Sequence, residues 1–175
     1  MSLENLIIKN RIDENEVKKI VLNMILLSIF EEIYNYLEKE NNKERLKNNL
    51  RKGDSEVIIR ELIDNHISMS LEEEDYKYIY TLIIAYLRKK DIRKRYNEDD
   101  KSRLLIKQNY KCDVCHCKIN LKDSHVDHII PFKMVGDELN YNYQLLCEQC
   151  NFNKSANLNY YLKTIVKRFV KQQDE

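Results

Sequence analysis

All five cysteines of this 175-residue chain fall between positions 112 and 150, and four of them form two Cys-x-x-Cys pairs, Cys112/Cys115 and Cys147/Cys150. No other feature limits the fold so strongly. Each pair offers two sulfurs from one tight turn, and two such turns complete a tetrahedron around a divalent metal. In an intracellular protein this clustering favours metal over disulfides. A structural Zn²⁺ on Cys112, Cys115, Cys147 and Cys150 is therefore expected. His116 and Cys117 stand beside the first pair and are left outside the ligand set. The 31 residues between the pairs become a closed insertion.

That insertion reads as strand, loop, strand. Residues 125–130 form an alternating apolar segment ended by Pro131, and a loop follows through Gly136 and Asp137. A second strand runs from Asn142 to Leu146, and a helix starts near Cys150. So small a unit cannot build an ordinary core, so a metal staple is required. A short helix over residues 100–109 should precede it, and an amphipathic helix with Leu158, Leu162, Ile165 and Phe169 should follow.

The remainder is read as helical. Two glycines and one proline in the whole chain leave little for the turns of a sheet-rich fold. Residues 13–40 carry apolar side chains at helical spacing, nearly all round between Ile20 and Phe30. A short charged helix is bracketed by Asn41, Asn42 and Gly53. A third follows Asp54. Ser70 with Glu73 gives a capping-box pattern for a fourth, over residues 71–90. Its Tyr76, Tyr80, Ile83 and Leu87 share a helix face. Residues 88–101 are a charge run, expected as a solvated helix end and linker. The boundary is placed near residue 95, giving a helical domain over residues 1–95 and a metal-stapled domain over 96–175. The fold class is mainly α, with the small ββα unit at the C-terminal end.

Charge divides the same way. Residues 1–87 hold 12 Lys/Arg against 17 Asp/Glu, whereas residues 88–175 hold 18 against 12. A basic C-terminal half suits a polyanion. The most apolar run, Ile20 to Phe30, is 11 residues long and contains Asn23 and Ser28, short of the roughly 20 apolar residues that a membrane span needs. No leader pattern is evident, and a soluble cytoplasmic protein is expected.

Three pieces interleave with the cysteine pairs: Asp127-His128-Ile129-Ile130-Pro131, Asn142-Tyr143-Gln144-Leu145-Leu146-Cys147, and Cys150-Asn151 with Lys154. In this order they resemble the HNH endonuclease family, over about Arg103 to Ala156. The chain departs from the commonest pattern in two places. Asn151 replaces the last His, as in HNN variants, and a single glycine, Gly136, stands where a pair is usual.

The resemblance implies a ββα-metal nuclease with a four-Cys zinc site. It assigns Asp127 and Asn151 to a catalytic Mg²⁺ or Mn²⁺, His128 to the attacking water, and Asn142 to the geometry behind His128. It implies cleavage to 5′-phosphate and 3′-hydroxyl ends. Elementary chemistry fits these roles. Histidine exchanges protons near neutral pH, and a cation with one Asp and one neutral Asn ligand keeps positive charge for phosphate. Lys154, one helical turn after Asn151, is expected to meet phosphate. His125 shares strand parity with Asp127 and is a secondary metal or substrate candidate. Tyr141 and Tyr143 are expected to pack over the zinc lobe rather than stack on bases.

The expected partner is nucleic acid, double-stranded DNA first. The long N-terminal helix offers a surface for a homodimer. Two alternatives remain at this level: a zinc-dependent nucleic-acid-binding module without catalysis, and a nuclease effector of a restriction or phage-defence system. Asp127, His128, Asn142 and Asn151 together argue against the pure binder.

Overall fold

A computed structural model describes residues 14–155 and Tyr160. The chain divides into two compact units, Met1–Tyr80 and Thr81–Glu175, with the division inside a helix. The expected C-terminal helix with Leu158, Leu162, Ile165 and Phe169 lies outside the described residues.

In the first unit α1 is Glu14–Leu37, α2 Asn42–Leu50, α3 Ser55–Asp64 and the start of α4 Glu73–Arg88. Helix α1 buries Leu26, Ile29, Phe30, Ile33 and Leu37 along one stripe at three- and four-residue steps, and α1, α2 and α3 pack on one another. Its N-terminal half is less covered, and Val21 and Leu22 are exposed. The whole Val17–Leu37 stretch is long and apolar enough to cross a membrane by length and composition, a test that core helices of soluble proteins also pass. The run Ile20 to Phe30 understates it because isolated polar and charged residues beyond Phe30 do not break such a stretch.

Asp54 caps α3 as its position suggests, its carboxylate accepting from the Glu56 and Val57 N–H groups. The buried face of α3 is Ile59 and Ile63, while Val57 points outward. Helix α4 starts later than the Ser70 pattern implies. Its first turn is held by the Asp75 carboxylate, which accepts from Glu72 N–H, so the acidic first turn does the capping. Its apolar face is Ile79, Leu82, Ile83 and Tyr86, all buried, one residue round from the face expected through Tyr76 and Tyr80.

The second unit adds α5 (Glu98–Lys107), β1 (Ser124–His128), α6 (Phe132–Val135), β2 (Tyr143–Cys147) and α7 (Glu148–Lys154). Asn97 and Asp100 form a full capping box at α5. Strands β1 and β2 pair antiparallel, with Asp127 opposite Gln144 and His128 opposite Tyr143. Helix α7 packs on both strands and α5 on β2. Leu105, Cys112, Val114, Ile119, Leu145, Leu146 and Cys150 form one small core, in which two of the metal-candidate sulfurs are themselves core atoms. The side-chain amide of Gln108 accepts from Leu145 N–H at 2.7 Å and donates to Leu145 O at 2.9 Å, joining the end of α5 to the middle of β2.

Candidate active site and metal centre

The two knuckles meet. The sulfurs of Cys112, Cys115, Cys147 and Cys150 all lie within 4.8 Å of one another, and Cys115 Sγ is 3.7 Å from Cys147 Sγ. A tetrahedron with metal–sulfur bonds of 2.3 Å has an edge of about 3.8 Å. The first knuckle is shaped by local bonds: Cys112 N–H donates to Cys117 O and His116 N–H to Cys112 O, with His116 at positive φ. Burial pushes the Cys150 thiol up, and Cys147 and Cys115 push it further. Sulfurs this close share negative charge only when a cation sits among them, so the donor set fits a closed thiolate metal site. Cys117 lies beside the cluster but outside the four.

The strand chemistry divides between the two faces of β1, as alternation requires. His128 is buried at 5% exposure. Its Nε2 lies 2.7 Å from Asp137 Oδ1, and the ring is held edge-on by Phe132 at 5.4 Å and Tyr143 at 5.1 Å. Among the described residues Nδ1 has no hydrogen-bond partner, yet the one buried side-chain polar atom without a partner is Gln144 Oε1. Nδ1 therefore keeps contact with solvent.

Asp137 also accepts from Lys94 N–H at 2.6 Å, Tyr96 Oη at 3.0 Å and Tyr143 Oη at 3.1 Å. Burial pushes its carboxyl upward, but these donors and His128 outweigh that and hold it below the usual carboxylate range. Tyr96 and Tyr143 are both raised, first by burial, which keeps them protonated as donors.

Asp127 faces α7. Its Oδ2 accepts from Gln144 Nε2 at 2.8 Å and pairs with Lys154 Nζ at 2.8 Å. Lys154 Nζ also donates to His128 O at 2.6 Å. Asn142 is buried and clamps one residue twice: Ile130 N–H donates to its Oδ1 at 2.7 Å, and its Nδ2 donates to Ile130 O at 2.9 Å.

With this geometry in place, residues 112–157 match the family model described as HNH endonuclease. Over that stretch the chain is similar to an HNH endonuclease domain. No curated protein and no solved structure gives a match.

The HNH motif residues gather on the hairpin and α7, with differences in detail. Lys154 does not stand ready for phosphate: it is 1% exposed and is consumed by Asp127 and the His128 carbonyl. The helical turn that separates it from Asn151 carries it inward, under β1. Asn151 is half-buried one turn earlier on the same helix. His125 is exposed and borders a surface hollow with Lys122, Asp123, Glu148 and Gln149. Tyr143 braces His128 and Asp137, whereas Tyr141 is 86% exposed instead of packing over the metal lobe. The residues missed from sequence are Asp137 and Tyr96. Asp137 follows Gly136 in the loop between the strands, while Tyr96 sits in a charge run read as solvated linker.

Proposed function

We propose that the chain is a metal-dependent endonuclease that hydrolyses DNA phosphodiester bonds to 5′-phosphate and 3′-hydroxyl ends. The observation that supports this most is His128: its ring is fixed on three sides, its Nε2 is occupied by a carboxylate, and its Nδ1 is left open to solvent. That is the arrangement of a general base rather than of a structural histidine. The four thiolates suit a structural Zn²⁺, which would staple the hairpin to α7. In this reading Asp127 and Asn151 would hold Mg²⁺ or Mn²⁺ beside the hairpin. Such a cation, when bound, supplies charge neutralisation at the phosphate and leaving oxygen.

The chain's own residues do the rest. His128 Nδ1 takes a proton from the attacking water. Lys154 holds one oxygen of Asp127, leaving Oδ1 as the free donor atom. Asn142 fixes the turn after His128, so the base cannot drift from the strand. The basic C-terminal half would favour double-stranded DNA as the polyanion. The exposed Val21 and Leu22 of α1 favour a homodimer through the N-terminal helices, which would bring two nicking sites to one duplex; light scattering of the full chain tests it.

The deciding experiment is plasmid cleavage with Mg²⁺ or Mn²⁺, comparing wild type with His128→Ala, beside a gel shift. Loss of turnover with retained DNA binding is expected. Near-normal turnover in the variant overturns the assignment of the base.

A further inference from the structure

Asp137 belongs to none of the three motif pieces, yet among the described residues of the second unit it is the most heavily bonded carboxylate. His128 Nε2, Tyr96 Oη and Tyr143 Oη converge on Oδ1, and Lys94 N–H meets Oδ2. A carboxylate has about four lone-pair sites; here three donors crowd onto Oδ1 and one meets Oδ2. A loop carboxylate that served only solubility would face water, whereas this side chain is 17% exposed.

Two of the donors come from residues 94–96, and that segment is locked to the same loop by contacts of a different kind. Lys89 Nζ donates to Lys133 O. The Arg93 guanidinium lies 4.9 Å from the Phe132 ring, the ring that braces His128. Gly136 runs at φ +59°, and a Cβ there would stand 3.0 Å from Lys89 Cβ. Residues 89–96 thus form a strap that closes over the Asp137 loop.

We propose that Asp137 is the positioning residue of the catalytic base, and that the strap through Lys94 and Tyr96 is part of the catalytic apparatus. This rests on the endonuclease reading of His128. Because all four partners must donate, His128 is compelled to carry its hydrogen on Nε2, and the lone pair is thereby assigned to Nδ1, the nitrogen open to solvent. Asp137 sets the tautomer and the ring angle; Tyr96, Tyr143 and Lys94 hold Asp137.

The test uses the full metal-loaded chain. Asp137→Asn keeps the size of the side chain but offers one acceptor oxygen and two N–H groups to four donors. Its kcat on plasmid DNA should fall by about 10²- to 10⁴-fold, with KM for DNA unchanged. Tyr96→Phe removes one donor and should lower kcat by roughly tenfold at unchanged KM. In parallel, ¹⁵N-resolved NMR of the neutral histidine side chains should show His128 as the Nε2–H tautomer in wild type and a mixture in Asp137→Asn. Wild-type kcat in both variants overturns the proposal, as does a rise in KM without loss of kcat. If Asp137→Asn fails to fold, Tyr96→Phe and the wild-type tautomer still decide. Finding His128 as Nδ1–H in wild type refutes the contact. A wild-type chain that cleaves no DNA sinks the endonuclease reading instead, and the tautomer then tests the Asp137 contact separately.

Discussion

Asn142→Ala should unfold the second unit more readily than any single truncation at the surface. The Asn142 side chain satisfies both backbone groups of Ile130 at 2.7 and 2.9 Å, and Ile130 is itself buried. Truncation removes two bonds and leaves a buried N–H and a buried C=O without partners. Each stranded group costs about 1–3 kcal/mol, and partial relaxation or water entry brings the pair to roughly 2–4 kcal/mol. With a urea dependence of about 2 kcal/mol per molar, the midpoint should drop by roughly 1–2 M. Asn142→Asp separates the two bonds: it still accepts from Ile130 N–H but sets two oxygens against each other at Ile130 O. It should be destabilised as well, by about 1–3 kcal/mol. The assay is urea unfolding of the metal-loaded chain, followed by reactivity of the buried Cys112 and Cys150 thiols and by amide exchange at Ile130. A midpoint within about 0.3 M of wild type, with the Ile130 amide still protected, would refute the reasoning.

Three further outcomes are expected. Purified chain should contain one tightly held metal, and Cys147→Ser or a strong chelator should release it and unfold the hairpin, since such sites contribute folding free energy directly; full structure by circular dichroism without bound metal would contradict this. Gly136→Ala should cost about 1–3 kcal/mol, because its φ of +59° is unfavourable for a side chain and Lys89 Cβ stands in the way; an unchanged unfolding midpoint would remove the strap from the argument. Tyr96 and Tyr143 have folded-state pKa values above the ordinary tyrosine value, so the stability they contribute is fully present below pH about 10 and is lost as pH rises further. Spectrophotometric titration should show Tyr96→Phe leaving the early-ionising tyrosines unchanged in number; one fewer would show that Tyr96 is not shielded.

Local signals in the sequence led directly to local structure. Asp54 caps the helix it precedes, the two cysteine pairs converge, and Asn142, which the family resemblance sets behind His128, bonds both backbone groups of Ile130. What escaped reading depends on rotation or on distance along the chain. Helix α3 buries Ile59 and Ile63 but leaves the equally apolar Val57 exposed, so position around the helix, not apolarity alone, separates core from solvent. Lys154 carries the right charge for phosphate, but the pitch of α7 turns it inward to Asp127. Tyr96 is forty-one residues from Asp137, inside a run whose charges suggest solvation. No periodicity encodes such a pairing; it follows only once Gly136 lets the loop pass close to the strap.

The Gln108 amide bonded to Leu145 has a consequence for what this sheet will accept as a neighbour. A two-stranded ribbon has two open edges, and an open edge recruits any extended peptide of suitable register. By occupying both the N–H and the C=O of Leu145, and with Asp113 N–H also on Leu145 O, the chain stands in for a third strand using one side chain and a knuckle amide. The β2 edge is thereby closed at its centre to strand addition. Replacing Gln108 with a residue that cannot bridge both groups would reopen a short apolar edge, and self-association through β-pairing would become available to a unit that otherwise keeps its sheet at two strands.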